Sequence, residues 1–328
     1  MEKSDIKAVA RLAGVSVATV SRVLSGSAPS TDRTRDAVYR AARELDYNPN
    51  VIARSLRIKR TQIVVALLND IKNPVFHDML RGLEDTAYKH GYMLLTGNSA
   101  NNTARELFYL RSLSMGRADG AILITPRTKH AKIKELTSGS PIVLMNDRYH
   151  GDDIPNIGID DKQASFELTR RIVEKGHKRI ACFRGAPGLW IAERRLEGFL
   201  TAIQQAASGI TPLVIQGGSL MEDGYRAMAA LHGMKELPAA IICYNDESAI
   251  GALTYAAEHG IKVPDTVSIA GFDDIPMSRL YQLGLTTVSQ PGYEMAVTAM
   301  ETLLTLMAKG RPQNYDLVVP HKIIERET

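Results

Sequence analysis

From Thr61 onward the sequence alternates short β-branched apolar runs with amphipathic stretches, and no other feature restricts the fold so sharply. The runs predict strands at Ile63–Leu68, Tyr92–Leu95, Gly120–Ile124 and Pro141–Met145. A second set falls at Arg179–Phe183, Leu213–Gln216, Ala239–Tyr244 and Val267–Gly271. Amphipathic helices are expected between them, among others over Met79–His90, Ala164–Lys175, Arg195–Gln205 and Ser248–His259. Continuous apolar strands separated by helices imply parallel sheets buried on both faces. Two such sets predict an α/β body of two doubly wound lobes. Ligands of such sheets bind beyond the C-terminal strand ends, so the site is expected in the cleft between lobes.

The first sixty residues follow a different pattern, that of a small all-α head. A helix from Ile6 to Leu12 offers Ile6, Val9, Ala10 and Leu12 as an apolar face, and Gly14 breaks it. Ser16 is a good N-cap for a second helix over Val17–Leu24. Val20, Val23 and Leu24 can face inward at helical spacing, which turns Thr19, Ser21 and Arg22 elsewhere. A small, hydroxylated and cationic outer face suits a DNA major groove, where hydroxyls reach phosphates or base edges and Arg forks onto guanine. A third helix is expected from about Thr31 to Leu45, ended by Tyr47-Asn-Pro49. The segment that follows, residues 50–58, is basic and apolar and too short to be a stable isolated helix. A Leu flanked by Arg54 and Arg57 fits insertion into a minor groove.

Charge agrees with that division. The chain has 40 Lys/Arg and 36 Asp/Glu; residues 1–60 hold 12 and 6 of them, which leaves 28 and 30 for the remainder. The basic excess therefore belongs to the head, as in a polyanion-binding module on a near-neutral body. The two cysteines, Cys182 and Cys243, sit inside apolar runs and read as small buried hydrophobes, which excludes a disulfide framework and a Cys/His zinc module. No apolar stretch approaches 18 residues, and the N-terminus lacks the apolar core of a signal peptide. A protein of the reducing cytoplasm is expected, without membrane association, metal or cofactor. An enzyme is disfavoured: G-x-G-x-x-G, P-loop, H-E-x-x-H and G-x-S-x-G are all missing, and the Asp pairs at 152–153, 160–161 and 273–274 have loop or cap explanations.

The stretch Ile6-Lys-Ala-Val-Ala-Arg-Leu-Ala-Gly-Val-Ser-Val-Ala-Thr-Val-Ser-Arg-Val-Leu24 resembles the DNA-binding head of the lactose/galactose-repressor (LacI/GalR) family of bacterial transcription regulators. Tyr47-Asn-Pro-Asn-Val-Ile-Ala-Arg-Ser-Leu56 resembles that family's hinge helix. Ala8 stands where the family usually has Asp, and Ser25-Gly26 where it has Asn and a polar residue. The body is similar too, through Asp70-Ile-Lys-Asn-Pro-Val-Phe76, Arg194-Arg-Leu-Glu-Gly-Phe199, Tyr244-Asn-Asp-Glu-Ser-Ala-Ile-Gly251 and Ile269-Ala-Gly-Phe-Asp-Asp274. Val75 departs from the family's frequent Phe-Phe pair.

The resemblance implies a helix-turn-helix domain over 1–49, a hinge over 50–60 and a core over 61–328 like that of periplasmic sugar-binding proteins. The core's N-lobe would take about 61–160 and 291–319, and its C-lobe about 161–290 and 320–328. Operator DNA would be contacted by Ser16, Val17, Ala18, Thr19, Ser21, Arg22, Ala53, Leu56 and Arg57. The positions matching effector contacts are Asn73, Phe76, Asn146, Arg195, Asn245 and Asp273, and Trp190 joins them as a stacking face. A planar set of amides, carboxylates and a guanidinium suits a polyhydroxylated ligand: a sugar or sugar phosphate, with a nucleoside or purine as the alternative. The family pattern is a homodimer or tetramer on the nucleoid, acting as an inducible repressor of a carbohydrate operon. A solute-binding protein without DNA function would leave the basic head unexplained.

Overall fold

The computed structural model describes residues 5–25, 29–47, 60–137, 139–147, 154–206, 209–234, 236–280, 284–309 and 316–328. The expected hinge residues Ala53, Leu56 and Arg57 lie outside the described residues. The chain divides into two units, residues 1–61 and 62–328.

The first unit holds α1 (Ile6–Ala13), α2 (Val17–Ser25) and α3 (Asp32–Glu44). Local chemistry fixes where each begins. The Asp5 carboxylate accepts from the Ala8 amide, Ser16 Oγ from Thr19 and Thr31 Oγ1 from Thr34. Gly14 ends α1 in the left-handed conformation at φ +64°, and the Val15 amide reaches back to the Ala10 carbonyl. Val9, Ala10, Val20, Val23, Val38, Ala41 and Ala42 form the core of this unit. Leu12, expected inside, is 48% exposed. The inward stripe of α1 runs through positions 6, 9, 10 and 13, and Leu12 sits about a third of a turn off it.

The second unit opens with β1 (Ile63–Leu68), α4 (Phe76–Lys89), β2 (Met93–Asn98), α5 (Thr103–Ser114), β3 (Gly120–Ile124), α6 (His130–Thr137), β4 (Ile142–Met145) and β5 (Asn156–Gly158). It continues with α7 (Asp161–Glu174), β6 (Arg179–Arg184), α8 (Trp190–Gln205), β7 (Thr211–Gln216), α9 (Met221–His232), β8 (Ala240–Cys243), α10 (Asp246–Glu258) and β9 (Ser268–Ala270). The last elements are α11 (Pro276–Leu280), β10 (Thr287–Ser289), α12 (Gly292–Lys309), β11 (Asp316–Val318) and β12 (Lys322–Ile324).

One parallel sheet runs β2-β1-β3-β4-β5-β11 and a second runs β7-β6-β8-β9. The antiparallel pair β10-β12 continues the second sheet, because Thr286 bridges Ala270 and Ser289 bridges Asp273. Side-chain alternation explains the double layer. Val64, Ala66 and Leu68 pack with Met79, Leu83, Ala296 and Met300 of α4 and α12. Leu67 faces the other way, onto Leu110, Leu113 and Ile133 of α5 and α6. In the second sheet Phe183, Ile241 and Cys243 meet α9 and α10, while Ile180, Cys182 and Ile242 belong to the core that includes Leu168 and Phe199.

The strands β2 and β7 differ from expectation. They are sheet edges and alternate between exposed and covered positions, so Met93, Leu95 and Val214 meet solvent. Both sheets reverse strand order beside β1 and beside β6. The C-terminal ends of β1, β3, β6 and β8 therefore frame two crevices of the kind at which open α/β sheets generally bind ligands.

Candidate functional site

In the head, α2 presents Val17, Ala18 and Arg22 to solvent, with Thr19 and Ser21 half-buried beside them. The Ser16 and Thr19 hydroxyls bond each other at 2.9 Å while Ser16 also caps the helix, so both are held in place at the helix start. Small exposed residues followed by a cation one turn later leave room for the edge of a base pair to approach.

In the second unit the central group is Arg195. It was expected at the start of a helix, but α8 begins at Trp190 and puts Arg195 in its second turn, with a side chain only 8% exposed. Each nitrogen of its guanidinium has one acceptor. Nε donates to Asp161 Oδ1 at 2.8 Å, Nη1 to the Tyr244 carbonyl at 2.7 Å and Nη2 to Asp273 Oδ1 at 3.5 Å. Its flat face lies 3.5 Å from the centre of the Phe272 ring. Asp273 Oδ1 also accepts from Gln290 Nε2 at 2.6 Å. Gln290 Oε1 in turn accepts from Asn146 Nδ2 at 3.4 Å. A chain of polar contacts thus runs Asp161–Arg195–Asp273–Gln290–Asn146, from the second sheet's helices to the end of β4 in the first sheet.

Backbone strain marks the same places. Asn146 (φ +50°), Asp273 (φ +117°) and Asp274 (φ +54°) follow strand ends in a region that L-residues rarely adopt. Asp274 is fixed by Arg326 at 2.6 Å and Arg279 at 3.0 Å.

The electrostatics follow from one cation among several buried carboxylates. Burial pushes the Asp273 carboxyl up to about 6, and Arg195 and Gln290 pull against that rise. Burial likewise raises Asp161 against the opposing charge of Arg195, and raises Asp246 well above the usual carboxylate range with the help of Asp273. Glu247 is pushed up to about 7 by burial, then by Glu222, Asp273 and Asp70. For Arg195, burial is outweighed by Asp161 and Asp273, which hold its pKa raised.

Two cavities flank the chain. A narrow one of about 30 Å³ is lined by Asn146, Gly158, Asp161, Trp190 and Arg194 among others. A wider one of about 370 Å³ reaches Asp273, Gln290, Pro74 and Arg279. The structure links Asn146, Arg195 and Asp273 in one polar chain, sets Trp190 beside Asn146 in the narrow cavity, and places others differently. Phe76 is buried in the first sheet's core rather than offered as a stacking face, because α4 starts there, three residues earlier than its apolar spacing predicts. Asn73 bonds the Val75 amide at 3.1 Å. Asn245 is 1% exposed, with its oxygen capping α10 and its amide donating to the Ser219 carbonyl. One face of Trp190 is covered by Arg194, 5.4 Å from the ring centre. Asp161, set aside as a loop or cap residue, is the closest carboxylate to Arg195, while its neighbour Asp160 does the capping. Gln290 is not among the expected site residues; its signals in sequence are that it lies in the stretch Leu285-Thr-Thr-Val-Ser-Gln-Pro291, which also resembles the family, and near a crossing between lobes.

Among the described residues no helix is long and apolar enough to cross a membrane, and no cluster of His, Cys, Asp and Glu is arranged to hold a metal ion.

Comparison with known proteins gives matches along nearly the whole chain. Residues 5–50 match the family described as bacterial regulatory proteins, lacI family. Residues 61–327 match the periplasmic binding proteins and sugar binding domain of LacI family. The HTH-type transcriptional repressor CytR of Escherichia coli strain K12 is 34% identical over 306 residues, covering 93% of this chain and 90% of the relative. The Lac repressor dimer bound to operator and the anti-inducer ONPF has the same fold, with a TM-score of 0.87 over 100% of this chain and 99% of that one at 22% identity. A complex of the transcriptional regulator CelR with cellobiose gives a TM-score of 0.71 at 25% identity, covering 99% of each chain.

Proposed function

The chain belongs to the LacI family of bacterial regulatory proteins, as a DNA-binding transcriptional repressor with an effector-binding core, and we propose that it controls a carbohydrate-utilisation operon and is released from its operator by a small sugar-like effector. Relatives over most of its length are transcriptional regulators rather than enzymes. The single observation that carries the effector reading is the polar chain from Asp161 to Asn146, which spans the two sheets of the core with a cavity on either side. Mixed carboxylate, amide and guanidinium groups suit vicinal hydroxyls. The sugar-binding description of the matching family and the cellobiose complex of CelR favour a sugar over a nucleoside.

On this reading residues 1–49 are the DNA-binding domain, 50–60 the hinge, and 61–328 the core, with lobes divided near 160, 290 and 320. Ser16 through Thr19, Ser21 and Arg22 face the major groove, and Ala53, Leu56 and Arg57 the minor groove. The effector site comprises Asn146, Trp190, Arg195 and Asp273, with Asn73, Phe76 and Asn245 supporting the walls. A dimer matches a two-fold operator. Exposed Tyr88, Met93 and Leu95, near the edge strand β2, supply apolar surface for such an assembly. We place the protein on the nucleoid in the cytoplasm, where its target is.

The test is fluorescence anisotropy on palindromic DNA from the promoter region of its own gene. Full-length protein should bind with log K falling against log salt at about −0.9 per phosphate contact. Protein lacking residues 1–61 should lose DNA binding while still gaining thermal stability from the effector. A truncated core that binds the same site would overturn the assignment. Sedimentation distinguishes the dimer from a tetramer.

A further inference from the structure

The amides of Gln290 and Asn146 form a relay whose direction is set at one end. A carboxylate can only accept hydrogen bonds. Asp273 therefore turns the NH2 of Gln290 toward itself, at 2.6 Å, and leaves Gln290 Oε1 facing Asn146. That oxygen in turn draws the Asn146 NH2. Asn146 Oδ1 must then point away from the relay. Asn146 is 6% exposed, and its Oδ1 is a buried acceptor with no hydrogen-bond partner among the described residues. It lies beside Gly158, where a Cβ would stand 3.5 Å from it, and Gly158 lines the narrow cavity together with Asn146 itself. Asp147, Asp160, Asp161 and Asp316 line the same cavity, and among the described lining residues the one cation is Arg194.

We infer that the Asp273–Gln290–Asn146 relay presents an orphaned acceptor to an interlobe cavity lined by more carboxylates than cations, so that the effector enters with an uncharged hydroxyl or amino donor aimed at Asn146 Oδ1 and phosphorylated effectors are disfavoured. This rests on the reading of the cleft as the effector site, and it narrows that reading to unphosphorylated ligands. The cavity holds about 30 Å³, room for one water-sized group, so ligand entry accompanies its widening. A phosphate placed there would meet four carboxylates and an orphaned acceptor, against one cation among the described lining residues, Arg194, which is already paired with Glu197. Gln290 acts as a positioning residue: it touches no ligand but decides which atom of Asn146 does.

The experiment is thermal shift followed by calorimetry on the full-length protein. The probes are ribose, galactose, cellobiose, uridine and adenosine, each sugar monomer and nucleoside paired with its monophosphate ester. The expected result is binding by at least one free compound and none by its ester. For that compound Asn146→Leu and Gln290→Leu should weaken binding by about tenfold, the loss of one hydrogen bond. An unfolding midpoint of the free variants near wild type separates this effect from misfolding. A phosphate ester that binds better than its parent overturns the proposal, as does a panel in which no free compound binds. Gly158→Phe, which fills the cavity, tells the two readings apart. Binding lost in Gly158→Phe but unchanged in both Leu variants defeats the relay and leaves the effector site standing. Binding unchanged in all three places the ligand outside the cleft and defeats both.

Discussion

Arg195 is buried between two carboxylates, and this makes it a pin before it is a ligand contact. Removing it leaves Asp161 and Asp273 as uncompensated charges in a poorly solvated place, which costs about 3–5 kcal/mol. Arg195→Ala should therefore lower the urea midpoint of the free protein as well as effector affinity; an unchanged midpoint would show that water reaches the cluster. Glu247 gives a test with a definite pH sign. Its carboxyl is raised from an ordinary 4.5 to about 7, by burial first and then by Glu222, Asp273 and Asp70. A group raised in the folded state stabilises fully below its unfolded value, and that stability is lost as pH rises through the folded value. Glu247→Gln removes the charge and keeps the shape. It should raise the melting temperature at pH 8 by about 2–4 °C, for roughly 1 kcal/mol relieved, with the gain vanishing once the pH falls below the unfolded value of 4.5. A gain that persists below that value would mean packing, not charge, is responsible. The same residues show where sequence reading stops. Arg195, Asp273 and Asn146 were legible because motif and strand ends mark them. Asp161 and Gln290 were not, because their partners lie 34 and 17 residues away and no local pattern encodes such a contact.

At the scale of elements, legibility follows length and burial. The strands β1 and β3 run as read, Ile63–Leu68 and Gly120–Ile124, because unbroken apolar runs buried on both faces have no competing interpretation. The three-residue strands β5, β10, β11 and β12 left no periodicity to detect; their pairing with distant strands creates them. Helix starts were read late for α4, α7, α8 and α10, by two to five residues: α7 and α10 open on acidic residues, Asp161 and Asp246, while α4 and α8 open on Phe76 and Trp190. The α9–α10 crossing depends on two glycines. A Cβ on Gly224 would stand 1.8 Å from the Ser248 carbonyl oxygen, and one on Gly251 1.9 Å from that of Met221. Backbone cannot retreat as a side chain does, so Gly224→Ala should destabilise the core by about 1–3 kcal/mol through overpacking, despite the better helix propensity of Ala. A stabilised variant would show that the two helices slide apart freely. For α2 the expectation concerns choice of sequence rather than stability. Val17 and Ala18 are exposed at its start, so exchanging them for other small or polar residues should change which half-site is preferred. Arg22→Ala should weaken binding as well. Equal weakening on all sequences for every change would mean that α2 touches only the DNA backbone.

At the scale of the whole molecule, one chain carries a basic head and a near-neutral core, and its regulation is a free energy shared between two ligands. In the proposed scheme the twelve basic residues among the first sixty bring the affinity for DNA, and the buried polar chain of the core brings the affinity for effector. If effector binding weakens operator binding by some factor, operator must weaken effector binding by the same factor, because both describe one thermodynamic cycle. Couplings of this kind are about 5- to 150-fold. The measurement is a pair of titrations under one salt condition: operator affinity without and with saturating effector, and effector affinity without and with saturating operator. An inducible repressor shows weakening in both, by matching factors. A matching strengthening would make the effector a co-repressor and reverse the physiological sign while keeping every structural assignment. A factor of one in both would disconnect the core cavity from DNA binding altogether. Asp273→Asn supplies the control. Losing a charge-assisted hydrogen bond of about 1.5–3 kcal/mol should shift the effector concentration needed for release upward by about 10- to 150-fold. Because Asp273 belongs to the core unit and carries no DNA contact in this scheme, operator affinity without effector should stay near wild type, and the variant should repress in the presence of effector.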